Sequence, residues 1–107
     1  MSNREIEQML RVLTGLMIQK VEEVHDYLQL VFSDGTILNV FNKYQYEGEN
    51  ILSIKGKKMN SIKETDQSVL FSFSDGSHLI VGLRDEDYSG PEAMELIRHN
   101  EPPIVWN

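Results

Sequence analysis

The sequence predicts a mainly β fold. An N-terminal α-helix precedes an antiparallel meander of about six to eight strands with an internal two-fold repeat, forming a small barrel or a strongly bent sheet, with a β-sandwich as the alternative. Three observations carry this expectation. Apolar residues alternate with their neighbours over residues 17–46 and again over 58–83. Each alternating stretch is broken by Ser-Asp-Gly, where glycine supplies the positive φ that a tight hairpin turn demands. The two stretches also correspond: Phe32-Ser33-Asp34-Gly35 meets Phe73-Ser74-Asp75-Gly76 at an offset of 41 residues, with Leu38 meeting Leu79, Val40 meeting Val81, and Val21 and Glu23 meeting Ile62 and Glu64.

The helix is expected over residues 3–14. Ser2 and Glu5 have the spacing of a capping box, Ile6, Met9, Leu10 and Leu13 form one apolar stripe, and Gly15 offers the left-handed stop. The first β unit, residues 17–46, alternates through Leu28, Leu30 and Phe32, turns at Ser33-Asp34-Gly35, and resumes at Leu38 and Val40. Its third strand is apolar on both faces, through Ile37 and Phe41 as well as Leu38 and Val40, so its outer face calls for a cover, either the helix or a second subunit. Tyr44 and Tyr46 are read as continuing that strand to a turn at Glu47-Gly48-Glu49-Asn50, with a further short strand over residues 50–54. The second unit, residues 58–83, repeats the pattern through Val69, Phe71 and Phe73, then Leu79 and Val81. Residues 84–107 hold an acidic loop and then either a helix from Pro91 or a terminal hairpin. The alternation of Met94, Leu96 and Arg98 favours the hairpin, turning through residues 99–103, with Trp106 as a lid on the core.

Composition narrows the function classes. At 107 residues and 12.4 kDa the chain, residues 1–107, makes one domain. It has no cysteine, which removes disulfides, thiolate metal sites and cysteine nucleophiles together. No apolar run reaches the roughly 18 to 20 residues of a membrane span, and the first residues do not read as a signal peptide, so no membrane and a cytoplasmic location are expected. A net charge of −7 opposes binding to phosphate backbones. The exception would be a local basic patch at Lys55, Lys57, Lys58 and Lys63, set in an oligomeric ring.

Catalytic constellations are sparse. Asp85, Asp87, Ser89 and Gly90 match the opening oxygen positions of a calcium loop, since alternate residues can converge on a hard cation. The loop's closing bidentate Glu is missing, however: Leu96 holds that position and Glu95 falls one residue early. A metal-dependent enzyme would have to use Asp85, Asp87, Glu92 and His99. Asp34 and Asp75 are explained by turn geometry, and His25, His78 and His99 lack ligand or triad spacing. No glycine-rich phosphate loop is present, and no cofactor is expected.

The segment Leu83-Arg84-Asp85-Glu86-Asp87-Tyr88-Ser89-Gly90-Pro91-Glu92-Ala93, the Ser-Asp-Gly hairpin and the terminal Ile104-Val105-Trp106 resemble a group of small uncharacterised bacterial proteins. That resemblance implies a shared fold, with the acidic loop as a clasp closing the sheet, and brings no activity with it. The order of helix and bent strands is also similar in architecture to Sm-like and SH3-like barrels. The expectation is therefore a non-enzymatic binding module that engages a protein partner or itself, as a homo-oligomer, through Ile37, Phe41, Tyr44 and Tyr46. An Sm-like nucleic-acid-binding protein and a metal-dependent enzyme are the alternatives.

Overall fold

The computed structural model describes residues 5–107, so Ser2 and the expected helix start at Asn3 lie outside the described residues. Helix α1, Glu5–Leu10, is shorter than expected because the chain tightens into a 3-10 turn at Arg11–Leu13. Thr14 is already extended, its N–H donating to the Arg11 carbonyl at 3.0 Å. Tightening stacks residues three apart on one face, which buries both Leu10 and Leu13 completely and leaves Met9, assigned above to the apolar stripe, 37% exposed.

Nine strands follow: β1 (Ile18–Val24), β2 (Tyr27–Phe32), β3 (Ile37–Val40), β4 (Tyr44–Glu47), β5 (Met59–Glu64), β6 (Ser68–Phe73), β7 (His78–Gly82), β8 (Met94–Ile97) and β9 (Ile104–Trp106). They form two antiparallel sheets, β1-β2-β3-β8-β9 and β4-β7-β6-β5. Among the described residues neither sheet closes into a barrel, so the bent-sheet and sandwich readings are the ones that fit. Leu28, Leu30, Phe32, Leu38 and Val40 of the first sheet and Val69, Phe71, Phe73, Leu79 and Val81 of the second make up most of the core, as the alternation requires. None of the described helices is long and apolar enough to cross a membrane.

Two expectations about the middle of the chain are corrected. Tyr44 and Tyr46 do not continue β3: the chain leaves the first sheet at Phe41-Asn42-Lys43 and β4 joins the second beside β7. The break has a cause, because the N–H groups of Phe41 and Asn42 both donate to the Ala93 carbonyl, at 2.9 and 3.2 Å, and so do not extend a regular ladder. Residues 51–54 form a 3-10 turn instead of a strand. Asn50 starts it, its Oδ1 accepting from the Leu52 N–H at 2.9 Å, and Ile51 and Ile54 fall three apart into the core. At the C-terminus Met94 aligns with Trp106 in a β8–β9 hairpin, and Trp106 is 7% exposed, packed in the core.

The hydrogen bonding recurs at the 41-residue offset well beyond the two turns. Gly15 N–H donates to the Met59 carbonyl, and Gly56 N–H to the Ile18 carbonyl, both at 2.7 Å. Ile18 N–H donates to Lys57, and Met59 N–H to Leu16. Donor and acceptor roles are thus exchanged around the Met17–Lys58 bridge. β1 and β5 carry irregularities at matching places, Ile18/Lys20 and Met59/Ser61. In the turns, Gly35 and Gly76 have φ of +89° and +86°, a region that side chains disfavour, and Asp34 and Asp75 accept the N–H two residues on.

Strand exchange completes both sheets. β4, at the end of the first unit, pairs with β7 of the second, and β8, which follows the second unit, pairs with β3 of the first. The halves differ at their edges and connections. Residues 41–43 link β3 to β4, whereas the longer segment 83–93 links β7 to β8. α1 closes the β5 edge through a reciprocal pair, Glu7 N–H to Glu64 Oε1 at 3.1 Å and Glu64 N–H to Glu7 Oε1 at 2.8 Å.

Candidate binding surface

With Leu28, Leu30 and Phe32 turned inward, the alternate residues of the first sheet lie on its outer face in three cross-strand rows. Val31, Ile37 and Ile97 form an apolar row. Gln29, Asn39 and Glu95 form a polar one, in which Gln29 Nε2 donates to Asn39 Oδ1 at 3.0 Å and Asn39 Nδ2 donates to Glu95 Oε1 at 3.1 Å. Beyond them Tyr27 meets Phe41 edge to face, with ring centroids 5.6 Å apart.

The outer face of the second sheet inverts this pattern on the same scaffold. Ser72, His78 and Glu47 stand where the first has Val31, Ile37 and Ile97, and Leu70, Ile80 and Gln45 stand where it has Gln29, Asn39 and Glu95. Ser68 and Gly82 replace the Tyr27–Phe41 pair. Ser72 Oγ and His78 Nδ1 lie 3.0 Å apart on this flat face, a serine–histidine contact with no carboxylate of the described residues hydrogen-bonded to the ring.

The aromatic row opens into a groove of about 670 Å³ where the chain crosses between sheets. Tyr27, Phe41 and Tyr44 line it together with Glu23 and Asp26, and Lys43, His25 and Ser89 reach its rim. Tyr44 Oη donates to Glu23 Oε2 at 3.3 Å. Burial holds the Tyr44 hydroxyl above the ordinary tyrosine range, with a further rise from the Glu23 carboxylate and its hydrogen bond. Asn42 also lines the groove and is 2% exposed. Its Nδ2 donates to the Gly82 carbonyl at 2.7 Å, which fixes the amide and leaves Oδ1 buried with no partner among the described residues. An unmet buried acceptor of this kind costs about 1–3 kcal/mol.

The structure redistributes the residues singled out in the sequence. Phe41, on the link after β3, and Tyr44, on β4, both line the groove, while Ile37 sits on the outer face away from it. Tyr46 is separate: it lines a second groove with Glu47, Glu49, Lys57 and Asp75, and its buried hydroxyl has no partner among the described residues. Lys57 therefore lies in an acidic setting, beside an Asp75 whose carboxyl is held low chiefly by the Ser77 hydroxyl, then by the Ser77 N–H, with Lys57 a smaller contribution. Lys55 and Lys58 are exposed in the same connection, and Lys63 is on β5, aligned with Leu70.

Asp85, Asp87 and Ser89 do not converge as a calcium loop requires. Asp85–Asp87 is a 3-10 turn in which Asp87 Oδ2 accepts from the Arg84 N–H at 3.1 Å, and the carboxylate packs where a Cβ on Gly82 would collide with it. Ser89 Oγ donates to the Phe41 carbonyl, and Lys43 N–H donates to the Asp87 carbonyl. This loop thus fastens the strand crossing. Among the described residues no three His, Asp or Glu side chains come together to hold a metal ion.

Glu23, Asp26, Tyr27, Asn42 and Lys43 are among the groove residues that sequence reasoning missed. The signal for Tyr27 lay in the offset alignment, where a large ring faces Ser68 in the other copy. For Asn42 there was none, since its burial comes from the strand crossing. Comparison with protein-family models, curated proteins and solved structures finds no match for this chain.

Proposed function

We propose that the domain is a non-enzymatic binding module that engages a protein partner through the groove beside Phe41 and the adjoining outer face of the five-stranded sheet. One observation carries this reading. The two halves share backbone, turns and core, yet the half with Ser68 and Gly82 folds without the rings that its counterpart holds at Tyr27 and Phe41. The scaffold does not demand those rings, and half-buried aromatic side chains beside an open groove are the anchors that protein interfaces use.

The test is affinity capture from an extract of the native host, comparing wild type with Phe41→Asp and with Leu70→Asp on the opposite face, each checked for folding by circular dichroism. Phe41→Asp is expected to lower recovery of a specific partner about tenfold or more, with Leu70→Asp unchanged. Equal recovery by both variants would place the interface elsewhere.

A further inference from the structure

We propose that the groove holds an arginine side chain presented by a basic segment of the protein partner. The inference rests on the binding-module reading above and adds the chemistry of what is bound. Three features of the groove converge on a guanidinium group. Tyr27, Phe41 and Tyr44 provide ring faces and edges on which a flat, weakly hydrated cation stacks. Glu23 provides a carboxylate beside Tyr44, with Asp26 in solvent at the groove's edge, and a fork of N–H donors matches a carboxylate in geometry as well as charge. Asn42 provides a third, independent feature: a buried side chain whose Oδ1 lacks a donor, with the opposite end of its amide tied to Gly82.

Arginine fits better than lysine on donor count. Its five N–H groups let one planar head serve the Glu23 carboxylate and a further acceptor at once, whereas an ammonium is a compact point charge that gives up more hydration. The countercharges nearby do not cancel the site. Lys43 also lines the groove but is exposed, and His25 lies 3.8 Å from Asp26 with both side chains in solvent. The groove also belongs to a chain of net charge −7, which draws a basic segment toward it from a distance.

The experiment titrates the ¹⁵N-labelled full chain with three capped peptides of one length, carrying arginine, lysine or glutamine at a single central position in an otherwise neutral glycine-serine sequence. The arginine peptide is expected to shift the Asn42 side-chain amide and the backbone resonances of Tyr27 and Phe41. The glutamine peptide should leave them in place, and the lysine peptide should bind several-fold more weakly. Glu23→Gln, an exposed substitution, is expected to weaken the arginine peptide about tenfold. Asn42→Ala probes the orphaned acceptor, with Glu23→Gln and Tyr27→Ala keeping the test open if that variant fails to fold.

No shift at the groove with millimolar arginine peptide, or equal shifts with the glutamine peptide, overturns the proposal. If Phe41→Asp nevertheless abolishes partner capture, the binding surface stands and only its arginine chemistry falls. If capture is also unaffected, both readings fall. Sedimentation equilibrium supplies the last arm: a wild-type dimer that Phe41→Asp dissociates would make a second copy of this chain the occupant and overturn the basic-partner assignment.

Discussion

The outer faces of the two sheets are built on matching strands and carry opposite patterns. Where the first sheet has Val31, Ile37, Tyr27 and Phe41, the second has Ser72, His78, Ser68 and Gly82; where the first has Gln29 and Asn39, the second has Leu70 and Ile80. The inward residues, by contrast, stay apolar in both copies, with Leu28, Leu30 and Phe32 matched by Val69, Phe71 and Phe73. The core obeys one rule twice because burial imposes it, while the outer faces are free to diverge. What differs between them is therefore where specialisation is to be sought.

The comparison breaks first, and with the largest effect, in the core. Leu30→Ala and Phe71→Ala empty matched, fully buried positions, and urea denaturation should show losses of about 2–5 and 3–5 kcal/mol. If one of the two were tolerated, the halves would not be mechanically equivalent. Asn39→Ala should cost about 1–3 kcal/mol, because Gln29 and Glu95 both lose a partner on a residue 7% exposed. Importing the second face's residues together, as Gln29→Leu, Asn39→Ile and Glu95→Gln, should come within about 1 kcal/mol of wild type, because no polar group is then stranded. Phe41→Asp, decisive for binding, should leave most of the stability intact, losing the edge-to-face pair, about 0.5–1.5 kcal/mol, besides the apolar contact of a half-buried ring.

The turns sharpen the comparison at smaller scale. Asp75 accepts both the N–H and the hydroxyl of Ser77, whereas Asp34 accepts the N–H of Thr36. Asp75→Ala should thus be the costlier change by about 0.5–1 kcal/mol, at the low end for a solvent-exposed bond. A depressed carboxyl pKa means the unfolded chain takes up a proton first as pH falls. The Asp75 contribution is present above the ordinary aspartate range and is lost as pH drops through the lower folded value. The smallest effect is at Tyr44. Its raised pKa means the unfolded chain ionises first, so stability should decline as pH climbs past the ordinary tyrosine value of about 10, and Tyr44→Phe should flatten that alkaline limb.

Periodicity made most of the scaffold legible. Strands β1 to β3 and β5 to β7 follow from alternation and the two Asp-Gly turns, and the terminal hairpin follows from Met94, Leu96 and Ile104-Val105-Trp106. Strand partners were not legible: alternation marks which residues of β4 face inward but not which sheet receives them, and that choice depends on Ala93, more than fifty residues from Phe41 in sequence. The turn at Ile51–Ile54 was misread because a short apolar stretch suits strand and 3-10 turn alike. Half the candidate groove was visible as Phe41 and Tyr44, and the other half exists only once the crossing brings β1 and β2 beside them.

The reciprocal placement of β4 and β8 has a consequence for how the protein folds and fails. The five-stranded sheet joins β1 to β3 with β8 and β9, so it is not complete until the C-terminal residues are present, whereas β4 to β7 come from the continuous segment 44–82. The contacts that finish the structure join residues far apart, so late steps in folding carry a large loop-closure cost and should be slow. Native-state hydrogen exchange should accordingly find the slowest amides of β3 and β7 opening together, with one free energy and one denaturant dependence, as a single cooperative unit.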